Sequence, residues 1–519
     1  MSGKDGNRLF NCLALLYTAM LTFIFLSVLL FGNTIRYANQ RSFLAPNMIL
    51  FVLGELFIFF LYSLTKNKKS GKIKFVFWLL FFLFQCAVSY FGYFITGWDA
   101  GRVLDDAYIM GLYGSTYSPN NYYFSFHHNN IITALIESNI IRLFSLLTGG
   151  EPSIERCTLI LIFTQSALCT LSGYLTGELV DTHLPGKYWL CSVLFFLFIG
   201  LNPWFMIPYT DGLSMIFPIL ILLLYDKITC TERFCYSFRW AILGIVSAIA
   251  YLIKPQAFIA GIAICIVHLI SKSNAKRKLM DICLFLFIFF LGTGPVHQFI
   301  INHSFFQIDE NLKLDSCHFL MVGLTPETNG GYAAINDAIS ESTEDPEERH
   351  ALQMKTIHDR IQTLGFYGMM RHLFKKNLTN YGDGTFAWGI EGWFYRTFIP
   401  DKDSVISPFI KGILNTDENK GYLQFSSFLQ CMWLGILFLD CWAFFSFLRR
   451  KTTFSAYPPI LFAAALSIIG LTIFGLLFEA RARYLYSYAP VFVLLSCFGM
   501  NEIELFRKSL ISRSAESSH

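Results

Sequence analysis

The 519-residue chain is 54% hydrophobic and only 15% charged, with a mean hydropathy of +0.48, a balance that excludes a soluble globular protein of this length. Its net charge of +4 is small, and the basic residues fall in short clusters between apolar runs. That pattern orients a chain in a bilayer and gives no sign of nucleic acid, which is not expected as a partner.

Apolar runs predict helices near residues 11–32, 47–64, 75–95, 157–180, 188–206, 212–226, 239–253, 255–270, 280–300, 422–447, 457–478 and 485–500. The expected fold is an all-α polytopic membrane protein of about twelve spans. The first run follows Lys4 and Arg8 and is too long for a signal-peptide core, so it reads as a span. Segment 131–147 has the length of a short span but carries Glu137 and Arg142. Its placement follows from charge. The loops Lys66–Lys74, Lys227/Arg233/Arg239, Lys272/Lys276/Arg277/Lys278 and Arg449/Arg450/Lys451 all belong in the cytoplasm only if 131–147 lies along the outer surface as an amphipathic helix. Both termini are then cytoplasmic.

Six units result: N-terminal membrane helices (1–95), a first large extracytoplasmic loop with its surface helix (96–156), a membrane core (157–300), an extracytoplasmic domain (301–421), C-terminal membrane helices (422–500) and a cytoplasmic tail (501–519). Within 301–421, Asp345-Pro346-Glu347-Glu348 predicts the start of a helix reaching about Leu364. The two halves of the chain lack the matching broken helices of an inverted-repeat transporter. Most of the 13 cysteines sit in apolar runs; Cys317 stands alone in the polar segment, and Cys230 and Cys235 share a basic loop. No disulfide framework or Cys/His zinc spacing follows.

Chemistry-bearing residues concentrate at one predicted face. Asp99 leaves the bilayer directly after the third span, in Gly97-Trp98-Asp99, and Asp105 and Asp106 follow. A carboxylate at that depth can meet a lipid-borne phosphate; alternatively Asp99 caps its helix and Trp98 anchors at the interface. Asn129 and Asn130 end a polar, aromatic stretch that contains His127 and His128, neighbours whose spacing does not suit a shared metal. Asp211 lies in a short turn and Lys254-Pro255 breaks a pair of spans. Ionisable groups so near hydrocarbon are expensive, which makes a functional role the default; a turn cap and a snorkelling side chain are the alternatives. Arg481 and Arg483 stand outside against the charge bias, suited to a phosphate or to an ion pair with Glu479. Glu55 and Asp440, in or near spans, read as buried polar contacts.

In order and topology these pieces resemble the GT-C superfamily of polytopic glycosyltransferases, in particular bacterial relatives of protein O-mannosyltransferases and of the lipid A aminoarabinose transferase. That group carries a catalytic Asp in the first large outer loop, helices along the membrane and a second Asp in a later outer turn, the places held here by Asp99, 131–147 and Asp211. The chain is also similar to a Gram-positive branch in Tyr123-Phe124…His128-Asn129-Asn130, Tyr209-Thr210-Asp211, Lys254-Pro255 and Glu479…Arg483-Tyr484. The likeness extends through His318–Leu324, Gly330-Gly331-Tyr332 and Gly382-Asp383-Gly384-Thr385-Phe386…Glu391-Gly392. His128 stands where that pattern has Pro.

The resemblance implies inverting transfer of a sugar from a polyprenyl phosphate to a hydroxyl of an extracytoplasmic glycan or protein, in a multi-pass protein of the cell membrane. Asp99 would be the general base, with Asp105 or Asp106 positioning the acceptor or taking that role, and Asn129 and Asn130 shaping the loop. Lys254, Arg481 and Arg483 would face the donor phosphate, with Asp211 orienting a cation or the sugar. No resident metal or cofactor is implied, although a divalent cation stays open. A transporter or flippase of lipid-linked sugars and a non-catalytic membrane scaffold are the rival readings.

Overall fold

The computed structural model describes residues 3–32, 43–66, 68–69, 71–114, 121–229, 236–271, 274–392, 395–397, 402–403, 405–414, 420–450 and 457–516. Cys230, Arg233, Cys235, Lys272 and Lys451 lie outside them. In chain order the helices are α1 (Gly3–Phe31), α2 (Asn47–Thr65), α3 (Ile73–Gly92), α4 (Asp99–Tyr113), α5 (Asn121–Phe126), α6 (Ile131–Thr148), α7 (Ile154–His183), α8 (Tyr188–Phe195), α9 (Thr210–Ser214), α10 (Ile216–Thr229) and α11 (Tyr236–Ile253). They continue with α12 (Ile259–Ile270), α13 (Ala275–Leu291), α14 (His297–Asn302), α15 (Ser316–Gly323), α16 (Ala334–Ser340), α17 (Pro346–Tyr381), α18 (Ile406–Leu414), α19 (Lys420–Trp442), α20 (Phe445–Arg450), α21 (Pro459–Leu477) and α22 (Ala489–Glu516).

Among the described residues, nine helices are long and apolar enough to cross a membrane, and three shorter apolar helices join them. The fold is all-α and polytopic. By length and composition, 128–148 is one of the nine. The outward faces of α1, α2, α3 and α13 carry Phe23, Phe60, Phe75, Leu80, Phe287 and Phe290, all exposed, as expected of helices whose solvent is lipid. The bundle centre is α19, which packs against α1, α2 and α22. Close approach there depends on a small residue, because a Cβ at Gly54 of α2 would clash with the Cys431 carbonyl of α19.

Local signals set several boundaries. The Asp345 carboxylate accepts the Glu347 N–H at 3.0 Å, and Pro346 occupies the first turn of α17. The expected stop near Leu364 coincides with a break at Gly365, where φ is +56°, and α17 then resumes to Tyr381. Residues 501–516 of the expected tail are helical and continue α22 to Glu516. Glu504 on that extension pairs with Lys187 and accepts from the Tyr62 hydroxyl, tying α22 to α2 and α8.

Candidate functional site

Asp99 is the first residue of α4, and Trp98, in extended conformation, precedes it as the cap. No side chain caps this helix, so the Asp99 carboxylate is not spent on its own backbone. It hydrogen-bonds the Tyr123 hydroxyl instead, and burial, with help from Tyr209 and Asp99, holds that phenol well above its ordinary pKa. Tyr123 accepts from Asn130 Nδ2 at 2.8 Å, and Asn130 Oδ1 accepts from the Tyr209 hydroxyl at 2.9 Å. Asn130 is buried; Asn129 is exposed and leans on Asn130 Oδ1 at 3.3 Å.

The turn that presents Tyr209 and Asp211 is shaped by Gln165 of α7. Its Nε2 donates to the Trp204, Phe205 and Ile207 carbonyls at 3.1, 3.0 and 2.7 Å, and its Oε1 accepts the Tyr209 N–H at 3.3 Å. One buried amide thereby satisfies the backbone of a turn that no ladder serves. Asp211, in the first turn of α9, forms a buried ion pair with Lys254, whose position follows from Pro255 ending α11. The Lys254 ammonium also lies 4.8 Å from the Tyr484 ring.

The buried Arg483 guanidinium lies over the ring of Trp98, the neighbour of Asp99 in the chain, at 4.3 Å. Both arginines face Glu391: Arg481 Nη1 at 3.0 Å and Arg483 Nε at 3.1 Å. Arg481 Nε also donates to Glu479 at 2.8 Å, and the Tyr484 hydroxyl donates to the other Glu479 oxygen at 2.6 Å. Burial pushes Glu479 up, but Arg481, Tyr484 and Arg483 outweigh it and hold the carboxyl below its usual range.

Two backbone devices deliver these groups. β1 (Ile95–Thr96) pairs antiparallel with β2 (Tyr395–Thr397), bringing the chain after Glu391 alongside the approach to Asp99. The Asp383 carboxylate accepts from the Thr385 and Ala387 N–H groups at 2.7 and 3.2 Å, fixing a turn in which Phe386 and Ala387 have φ of +54° and +62°. Non-glycine residues there are strained, and the turn leads directly into Glu391. On the other side, Lys376 donates to the Gly323 and Phe478 carbonyls at 2.7 and 2.6 Å, and Ala480 N–H to Gly330 O at 2.7 Å. Burial lowers the Lys376 pKa to about 7.

Thus Asp99, Asn130, Asp211, Lys254, Arg481 and Arg483 come together, with Tyr123, Trp98, Tyr209 and Tyr484 between them. Asp105 and Asp106 are carried away along α4, about 9–10.5 Å at ~1.5 Å per residue; Asp105 is half-buried and Asp106 buried. His128 faces Glu310 at 3.8 Å, while the His127 ring packs on Tyr123 at 4.6 Å. Glu55 and Asp440 are buried in the bundle without hydrogen bonds. Sequence reasoning gave no role to Glu391, Gln165 or Lys376. Only Glu391 left a signal, its place after the Gly-Asp-Gly-Thr-Phe stretch. Among the described residues, the one trio of His, Cys and acidic groups within metal-ligating reach is Asp315, Cys317 and His350, not part of this cluster.

No curated protein matches the chain. Among solved structures it is similar to the archaeal oligosaccharyltransferase AglB from Archaeoglobus fulgidus in complex with an inhibitory peptide and a dolichol-phosphate, at 11% identity and a TM-score of 0.42, over 86% of this chain and 52% of that one. It is also similar to the apo form of the Archaeoglobus fulgidus oligosaccharyltransferase, at 11% identity and a TM-score of 0.35, over 91% of this chain and 52% of that one. The chain spans about half the length of each. A family profile described as conserved hypothetical integral membrane protein matches residues 8–503, and the chain belongs to that family.

Proposed function

We propose that the protein is a membrane glycosyltransferase that moves a sugar from a polyprenyl-phosphate donor to a hydroxyl of a glycan or protein acceptor with inversion. The observation that carries this reading is the juxtaposition of Asp99, a partly accessible carboxylate outside its own helix cap, with Lys254, Arg481 and Arg483 across the Trp98 and Tyr209 rings. The resemblance in Tyr209-Thr210-Asp211, Lys254-Pro255 and Glu479…Arg483-Tyr484 supports it independently.

In the proposed step the acceptor oxygen attacks the anomeric carbon as Asp99 takes the hydroxyl proton. The bond from that carbon to the phosphate oxygen breaks, and polyprenyl phosphate leaves with the electron pair. Base assistance of this kind is worth about 10²–10⁴-fold. Charge growing on the leaving phosphate is met by Arg483, Arg481 and Lys254, cations in surroundings of low dielectric where fixed charges act strongly. Tyr123 holds the Asp99 carboxylate, and Asn130 couples Tyr123 to the Asp211 turn through Tyr209.

The cluster faces the extracytoplasmic side in this proposal, with both termini in the cytoplasm. A labelling reagent confined to the outside should modify Thr210→Cys in a Cys-depleted background; labelling from the cytoplasm alone would overturn that orientation. A flippase reading draws on Glu55 and Asp440, buried carboxylates that the transfer mechanism does not use. Purified protein given radiolabelled undecaprenyl-phosphate sugar and cell-surface acceptor separates the two. Transfer consumes the donor and labels the acceptor. Movement of intact donor across a vesicle bilayer, with no acceptor labelled, would sink the proposal.

A further inference from the structure

Cys317 is isolated in sequence but not in space. The Asp315 carboxylate caps α15, one oxygen accepting the Cys317 and His318 N–H groups at 2.9 and 3.2 Å. Its other oxygen faces His350 Nδ1 on α17 at 3.6 Å. Ligand atoms of Asp315, Cys317 and His350 all lie within 4.8 Å of one another, and the Cys317 sulfur is 3.9 Å from that of Met354, one turn after His350. We propose that Asp315, Cys317 and His350 form a three-ligand site for a thiophilic metal ion, Zn(II), with Met354 as its apolar wall.

The donor set argues for the ion. A thiolate, an imidazole and a carboxylate are the ligands Zn(II) takes, and three of them leave the fourth tetrahedral position to water. Ligands bound to one Zn(II) at about 2.0–2.3 Å stand roughly 3.3–3.8 Å apart, so side-chain rotation of about 1 Å closes the site. Hard ions such as Mg(II) prefer oxygen ligands and are disfavoured by the sulfur. Binding displaces the Cys317 thiol proton to solvent as the sulfur–metal bond forms.

The frame is rigid although the ligands are accessible. Arg349, next to His350, is buried and donates to the Ser340, Asn311 and Thr343 carbonyls at 2.8, 2.6 and 2.9 Å. Arg360 of α17 donates to Met321 O of α15 at 2.5 Å, and Met321, Leu324 and Ile357 pack between the two helices. Ligands on braced helices lose little freedom on binding. The site is independent of the proposed transferase cluster.

The test is a competition titration of Zn(II) against a chromophoric chelator, using the full chain in detergent with Cys230 and Cys235 replaced by Ser to remove a competing thiol pair. The parent should bind one Zn(II) and exclude Mg(II). Cys317→Ala and His350→Ala should each bind at least about 100-fold more weakly, the upper end of what loss of a supporting contact alone costs. Met354→Leu should bind Zn(II) as the parent does. Absence of Zn(II) binding by the parent, or affinity unchanged in Cys317→Ala, overturns the proposal. Binding of Cu(I) alone, lost in Met354→Leu, overturns the assignment to Zn(II).

Discussion

Arg483 Nε lies 3.1 Å from Glu391 Oε2, yet neither atom makes a hydrogen bond, and both are buried. In the proposed mechanism Glu391 therefore competes with the donor phosphate for Arg481 and Arg483. In Glu391→Gln the charge is removed, so Arg483 loses its paired carboxylate while Arg481 keeps Glu479. Breaking a buried pair from one side costs about 3–5 kcal/mol, so the unliganded variant should unfold at lower temperature. Undecaprenyl phosphate should bind it about tenfold more tightly, about 1.4 kcal/mol, because Glu391 no longer competes for Arg483. Lipid binding measured by thermal shift and by direct titration checks both effects, and weaker binding than the parent's would contradict the displacement argument.

The Asp211–Lys254 pair makes a parallel prediction about stability. Both side chains are buried, and Asp211 Oδ2 has no hydrogen bond of its own, so the lysine is its main compensation. Lys254→Met should destabilise by about 3–5 kcal/mol, and the double variant Asp211→Leu/Lys254→Met should recover part of that loss. Thermal unfolding of the purified proteins is the measurement. A double variant no more stable than Lys254→Met would mean that the pair is not the source of the cost.

The long apolar runs made the helices legible, because a spanning helix announces itself by length and hydropathy alone. Pro255 likewise marked the break that places Lys254, and Pro346 the start of α17. What sequence could not give was partnership over distance. Asp99 meets Tyr123 across a segment whose residues 115–120 lie outside the described chain, and Glu391 meets Arg483 over 92 positions. Gln165 looks like an ordinary polar residue in a span until its carbonyl partners are known. The reading that Asp99 caps α4 was locally sound, but Trp98 holds the cap position.

Lys376 predicts a pH dependence. Burial lowers its pKa to about 7, from an ordinary value near 10.5. Between those values the unfolded chain binds a proton there that the folded chain does not, so stability should rise with pH from about 7 to about 10.5. In Lys376→Met that rise should be shallower than the parent's. The variant also leaves the Phe478 carbonyl without its donor, a loss of about 1–3 kcal/mol, while His372 Nε2 still lies 2.9 Å from the Gly323 carbonyl. Unfolding temperature recorded against pH for both proteins checks the slope, and an identical slope in the two would assign it to other groups.

Asp99→Asn separates chemistry from structure. The exchange is nearly isosteric, and since no side-chain bond caps α4, the helix start loses little. The amide oxygen still accepts from the Tyr123 hydroxyl, so the chain through Asn130 to Tyr209 is kept. The favourable interaction of a negative charge with the helix N-terminus is lost, about 0.3–1 kcal/mol. Folding and donor binding should therefore stay close to the parent's, because Asp99 is not among the proposed phosphate contacts. Transfer should fall by about 10²–10⁴, since a neutral amide does not take up the acceptor proton at pH 7. The discriminating comparison is turnover against donor affinity in one preparation of normal thermal stability. Turnover within a few-fold of the parent would remove Asp99 as the base and move the assignment to Asp105 or Asp106, about two turns further along α4.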